Sequence, residues 1–164
     1  MFTYNTFTVL FLSTGNAARS ILAEALLREK GGERFNARSA GQRPLSDVNP
    51  HTLALLASEG IAINGLHSKG WGEFLASSHI IKNDAIVTLS EEARANCPAW
   101  PGDPVKVHWT VDDPLSAEKP DVMEWKFRKC FNTLEARIGR LIKIRLARKS
   151  EELLLQLKDI GMVV

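Results

Sequence analysis

Eight residues between two apolar runs, Ser13-Thr14-Gly15-Asn16-Ala17-Ala18-Arg19-Ser20, bring together the residue types from which a site for a tetrahedral anion can be built. Gly15 and Asn16 are types that tolerate positive φ, so successive amide N–H groups can be turned toward one centre. Arg19 supplies a planar fork able to meet two oxyanion oxygens at once. A helix following the loop would add the positive end of its dipole. Ser13 opens the loop with a hydroxyl, and Ser20 closes it with another that can cap the helix or donate to residue 13. A second candidate is Asp113, whose neighbour Pro114 biases it to an extended conformation from which a carboxyl can project and move a proton. Taken alone, Asp112-Asp113-Pro114 also reads as an ordinary turn.

The elements that must position these residues follow from periodicity. Phe7 to Leu12 is a short β-rich run, and Ile21, Leu22, Ala25, Leu26 and Leu27 recur at helical spacing behind the loop, giving a helix from Ser20 to about Lys30 that stops at Gly31-Gly32. Phe35 to Ala40 reads as a second strand ending at Ser39-Ala40-Gly41. Asn49-Pro50 starts a helix that runs to Ser58, and Trp71 to Leu75 reads as another. Asp84 to Leu89 and Val105 to Trp109 are further strands. A long helix is expected from Asp121 to Ile138, with Val122, Trp125, Phe131, Leu134 and Ile138 toward the core and Cys130 as a core thiol. A last one spans Ser150 to Ile160 and carries Leu153, Leu154, Leu155 and Leu157. Strands alternating with helices imply parallel pairing, with ligands beyond the strand C-termini. The segments after Leu12, Leu89 and His108 can therefore converge on one crevice.

An anion loop after the first strand, closed by Arg19 and Ser20, resembles the low-molecular-weight protein tyrosine phosphatase superfamily, and Thr14-Gly15-Asn16-Ala17-Ala18-Arg19-Ser20 is most similar to its thioredoxin- or mycothiol-linked arsenate reductase branch. The tyrosine phosphatases usually carry a second cysteine where this chain has Ala18. The resemblance implies an α/β three-layer sandwich, a four-stranded parallel sheet flanked by helices, over residues 1–140, with 141–164 as a C-terminal helical extension packed on or beside it. It implies oxyanion contacts from residues 13–19, Ser20 as a donor to the nucleophile, and Asp113 as general acid. It also places a cysteine nucleophile where Ser13 stands. Ser90 and Cys97-Pro98-Ala99-Trp100-Pro101-Gly102 resemble the redox-relay segment, with serine at the first relay position and Cys97 at the second. Ser39-Ala40-Gly41 and His67-Ser68-Lys69 are similar to further family segments, which leaves Lys69 either beside the site or a surface lysine.

A serine hydroxyl is not ionised by the features that activate a thiol, and one cysteine cannot deliver two electrons through an intramolecular disulfide. The expected function is therefore that of a phosphate, arsenate or sulfate binder with little or no turnover. The alternative is an active arsenate reductase or phosphotyrosine phosphatase in which the serines replace native cysteines. Direct serine-based phosphoryl transfer lacks an evident base: His108 is the one histidine near a strand end and is expected to pack at the sheet edge.

The 164 residues suit one domain, and 45% hydrophobic with 24% charged residues is an ordinary globular balance. A formal charge of +2 gives no reason to expect nucleic acid or membrane partners. The basic run from Arg137 to Lys149 reads as a solvated face. Two cysteines without metal-ligand spacing exclude a disulfide framework and give no metal site, and no cofactor is expected. With the relay broken, a thiol reductant is not an expected partner. The first residues lack a signal-peptide pattern, so the cytoplasm is the expected location. The four leucines of the last helix suit either packing on the domain or a homodimer face.

Overall fold

A computed structural model describes residues 6–76, 82–146 and 151–163 of the chain. Four strands, β1 (Phe7–Ser13), β2 (Phe35–Gly41), β3 (Ala85–Thr88) and β4 (Val105–His108), form one sheet in the order β2-β1-β3-β4. Every neighbouring pair is parallel: Val9 pairs with Ala37 on one side and Ala85 on the other, and Val87 pairs with Val107. The helices are α1 (Arg19–Gly31), α2 (Pro50–Ser58), α3 (Trp71–Ala76), α4 (Glu91–Ala95), α5 (Pro120–Leu141) and α6 (Glu151–Ile160). The α/β sandwich is thus the architecture expected from the alternation of strand and helix patterns.

β1 is buried along its whole length, and its side chains divide by parity. Phe7, Val9 and Phe11 enter the larger core with α1, α2, α5 and α6, whereas Leu10 and Leu12 enter a smaller one with Ile86, Ala93 and Trp100. This alternation is the period of two of a strand covered on both faces. Both layers therefore hold β1 in register, and the loop leaving its C-terminal end inherits a fixed starting point.

Three expectations change. Val122 and Trp125 are 41% and 60% exposed rather than in the core, because the buried stripe of α5 is Phe127, Cys130, Phe131, Leu134, Ile138 and Leu141. Arg137, read as part of a solvated basic face, is buried at 5% exposure on that same stripe; 147–149 of the run lie outside the described residues. A helix missing from the sequence reading, α4, follows Ser90, whose hydroxyl accepts from the Ala93 amide, with Glu91 and Glu92 in the first turn.

α6 packs with Leu153, Leu157 and Ile160 buried, Leu154 half-buried and Leu155 exposed. The Trp109 indole donates to the Leu157 carbonyl at 2.8 Å, and Arg137 Nε donates to the Val163 carbonyl at 3.0 Å. None of the described helices is long and apolar enough to cross a membrane.

Candidate functional site

The loop from Thr14 to Ala18 joins the end of β1 to the start of α1 and floors a cleft of about 260 Å³. Its other walls are Arg43, Leu45, Asp113 and Leu115. The conformation turns on Asn16, which sits in the left-handed region at φ 48°. Gly15 does not share that conformation, contrary to its sequence reading; its missing side chain instead lets Leu45 approach, with Cγ 3.2 Å from where a Cβ would be. Asparagine accepts such a φ because its short amide can bond locally, and here that amide ties several segments together.

The Lys69 amide donates to Asn16 Oδ1 at 2.9 Å, which fixes Nδ2 as the donor end. Nδ2 then donates to Ser20 Oγ at 2.8 Å and to Ser39 Oγ at 2.9 Å. Ser39 passes its own hydrogen to Glu24 Oε2 at 3.0 Å and receives the Lys69 ammonium at 3.3 Å. Lys69 also lies 3.6 Å from Glu24 as a largely buried ion pair. Burial lowers the Lys69 pKa, and the Glu24 charge opposes that shift. Lys69 therefore braces the loop from behind instead of lining the cleft or facing solvent.

The hydroxyls at the two ends of the loop meet each other. Ser13 Oγ and Ser20 Oγ are 2.6 Å apart, and the Asn16 amide donates to Ser13 Oγ at 3.2 Å. Ser20 also accepts from Asn16 Nδ2. Each hydroxyl thus accepts from Asn16, and either can donate in the short bond between them. Of the two roles read for Ser20, capping is not used: α1 has no side-chain cap. The amides of Thr14, Gly15, Ala17 and Ala18 find no acceptor among the described residues, although Ala17 and Ala18 are buried.

Gly41 lies beneath this loop. A Cβ there would stand 2.9 Å from the Asn16 nitrogen and 3.0 Å from the Gly15 carbonyl carbon, backbone atoms that cannot rotate away. Gly41→Ala is expected to destabilise the fold by about 1–3 kcal/mol, read as a lower urea midpoint at an unchanged m value. The glycine that ends Ser39-Ala40-Gly41 thus serves close backbone approach rather than a turn.

Arg19 donates Nη1 to the Val111 carbonyl at 3.1 Å and holds Nη2 3.7 Å from Asp113 Oδ2. Asp113 Oδ1 accepts from the Leu115 amide at 3.0 Å, capping the single 3-10 turn of Pro114–Ser116. The turn reading and the proximity reading of Asp113 hold together. Ser90 sits beside the loop, accepting from Thr14 Oγ1 at 3.0 Å. Cys97 is half-buried against the smaller core, with its thiol on the Pro98 carbonyl at 3.6 Å; it and Cys130 are both free thiols. His108 bonds Thr88 Oγ1 at 2.8 Å and lies 3.6 Å from Glu91, so it does not reach Ser13; burial, its leading influence, lowers its pKa. Among the described residues, no group of three or more His, Cys, Asp or Glu side chains is placed to hold a metal ion.

The family model for low molecular weight phosphotyrosine protein phosphatase matches residues 8–152. The chain belongs to that phosphatase family. Arsenate reductase 1 of Staphylococcus epidermidis is 36% identical over 111 residues, covering 68% of this chain and 80% of that protein. The arsenate reductase of Halalkalibacterium halodurans is 33% identical over 135 residues, covering 82% and 91%. Among solved structures, the thioredoxin-dependent arsenate reductase of Corynebacterium glutamicum superposes with a TM-score of 0.65 at 27% identity, over 84% of this chain and 61% of that one. The arsenate reductase of Archaeoglobus fulgidus gives 0.64 at 26% identity, over 83% and 99%. This phosphatase-family chain thus has arsenate reductases among its homologues, and its loop, Arg19 and Asp113 meet at one cleft.

Four contributors escaped the sequence reading: Glu24, Arg43, Leu45 and Leu115. Glu24 left one signal, a carboxylate between the buried Ala23 and Ala25 of α1.

Proposed function

We propose that this chain is an oxyanion-binding member of the family, holding phosphate, arsenate or sulfate through the loop 13–19 and turning it over slowly or not at all. The reading is carried by the amides of Thr14, Gly15, Ala17 and Ala18, which lack acceptors among the described residues and surround one cleft with Arg19. Buried backbone donors are rarely left unpaired, so an acceptor of the right shape is strongly favoured there. Ser13 lines the cleft, and its hydroxyl can donate there as well as accept. A hydroxyl in that place adds a hydrogen bond to the anion and avoids the repulsion that a thiolate would set against a dianion.

The reading also implies that the site carries out no thiol chemistry. Ser13 hydrogen-bonds no histidine or carboxylate among the described residues, so nothing deprotonates it. Ser90 is committed to capping α4 and to Thr14, and Cys97 has no thiol partner, so a two-electron disulfide relay cannot close. A second reading, in which the frame is that of an active phosphatase or reductase and only the sulfur is missing, is favoured by the placement of Asp113 against Arg19.

The test is calorimetric titration with inorganic phosphate. The parent is expected to bind, and Arg19→Ala is expected to weaken binding in the cleft by about a hundredfold or more, the worth of a bidentate charge-assisted contact. A parent that binds no phosphate, or whose binding is indifferent to Arg19, would overturn the reading.

A further inference from the structure

We infer that the groove between α2 and α5 docks an arginine-bearing segment of a protein partner, beside the loop cleft and independent of it. The groove holds about 720 Å³, against about 260 Å³ for the cleft, a size at which natural pockets take up ligands. It runs from His51 in the first turn of α2 to Ser58 at its last residue, a rise of roughly 10 Å along the helix. About three residues of extended chain cover that length.

The walls combine aromatic surface with negative charge. His51 and Phe127 stack with their ring centroids 5.6 Å apart, and Trp125 is 60% exposed. Apolar surface gathered at a groove marks an interaction site, and tryptophan is enriched among the anchors of such sites. Asp121 and Glu124 are exposed carboxylates in the same walls, and neither pairs with a cation among the described residues. Arg128 also lines the groove, but Glu59 engages its guanidinium. Lys129, which lies over the Trp125 ring at 5.3 Å, is outside the lining. The local charge is thus negative on a chain whose formal charge is +2. A guanidinium meets both demands, since its planar face stacks on an indole and its N–H fork bonds carboxylates. The methylene stem behind it suits the apolar wall at Ala54 and Leu55.

The groove adjoins the cleft through α2. The Asn49 amide and the Thr52 hydroxyl donate to the Ala17 carbonyl at 3.0 and 2.8 Å. The turn that carries His51 is therefore fastened to the cleft floor, and a segment held in the groove passes beside the anion site.

Titration of the full chain with a blocked arginine-containing pentapeptide, followed by calorimetry, is the test. Saturable binding is expected, and the same peptide with citrulline in place of arginine is expected to bind at least about fivefold more weakly. D121N/E124Q and W125A are each expected to lose a similar factor toward the arginine peptide; these side chains are exposed, so the fold does not depend on them. Phosphate binding is expected to be unchanged in both variants, and peptide binding unchanged in Arg19→Ala. Absence of saturable binding, equal affinity for the citrulline peptide, or indifference to all of these substitutions would overturn the inference. So would free arginine amide binding as tightly as the peptide, which assigns the groove to a small cation, or self-association abolished by W125A, which assigns the face to a second copy. A parent that takes up the peptide but no phosphate would overturn the loop reading and leave this one standing.

Discussion

A Ser13→Cys variant is expected to hydrolyse a simple aryl phosphate at least about a thousandfold faster than the parent, within the range by which removal of a covalent nucleophile suppresses an enzyme. The reason is the donor arrangement around position 13. The Asn16 amide donates to that atom, the Ser20 hydroxyl lies 2.6 Å from it and can donate to a thiolate there, and α1 begins six residues later. For a hydroxyl these contacts only orient it. For a thiol they favour the ionised form, which is the attacking species. The leaving oxygen then needs a proton, and Asp113, held near Arg19 and at the head of the 3-10 turn, is the carboxyl expected to supply it. Asp113→Asn in the Ser13→Cys background is therefore expected to cost about 10²–10⁴ in rate, the usual weight of a positioned acid. Initial rates with an aryl phosphate, alongside the pH dependence of alkylation of the introduced thiol, check both steps. A thiol that ionises readily without turnover would mean that Asp113 and the loop do not address the same substrate.

The second large effect concerns stability. Lys69→Met is expected to destabilise the protein by about 3–5 kcal/mol, the cost of leaving one partner of a buried ion pair without the other. Lys69 and Glu24 are 10% and 12% exposed and 3.6 Å apart, so water cannot replace the ammonium at little cost. Glu24→Gln added to Lys69→Met removes the stranded charge and keeps an acceptor for Ser39, so the double variant is expected to recover at least half of the loss. Urea unfolding of the four proteins at constant m gives the coupling directly. Additive effects would mean that the pair is better solvated than its burial implies. Because Ser39 and Asn16 extend from this pair to Ser20, the single variant is also expected to loosen the loop.

The sheet and the loop were legible because their signals are local. β1 is a short β-rich run interrupted only by Thr8 before Ser13, and the residues after it are of types that few other structures require together. The helix patterns of α1 and α2 carried their own stops. What escaped depended on three-dimensional closure. Val122 and Trp125 are apolar, but Trp125 stands two residues from Phe127, about 200° round the helix, and Lys129 lies over its ring at 5.3 Å in solvent reach. Composition marked both as core; the angle would have excluded them. Arg137 read as surface because a guanidinium is usually solvated, yet carbonyls from the loop after β4 and from the tail beyond α6 take it in. The part played by the Asn16 amide could not be read at all, since its partners at 20, 39 and 69 are assembled only by the sheet. α4 was missed although Ser90-Glu91-Glu92 is a fair start signal, because a helix of five residues is too short to show a hydrophobic period.

The hydroxyl at position 13 also takes the cleft out of reach of oxidants. A thiolate surrounded by amide donors and a guanidinium is the group in a protein most open to peroxide, and its sulfinic and sulfonic products no longer admit a ligand. Ser13 and Ser90 cannot enter that series of reactions. Cys130 is buried as a protonated thiol, and Cys97 lies outside the walls of the cleft. An oxidant that would modify a thiolate at position 13 has no sulfur to attack in the walls of this cleft.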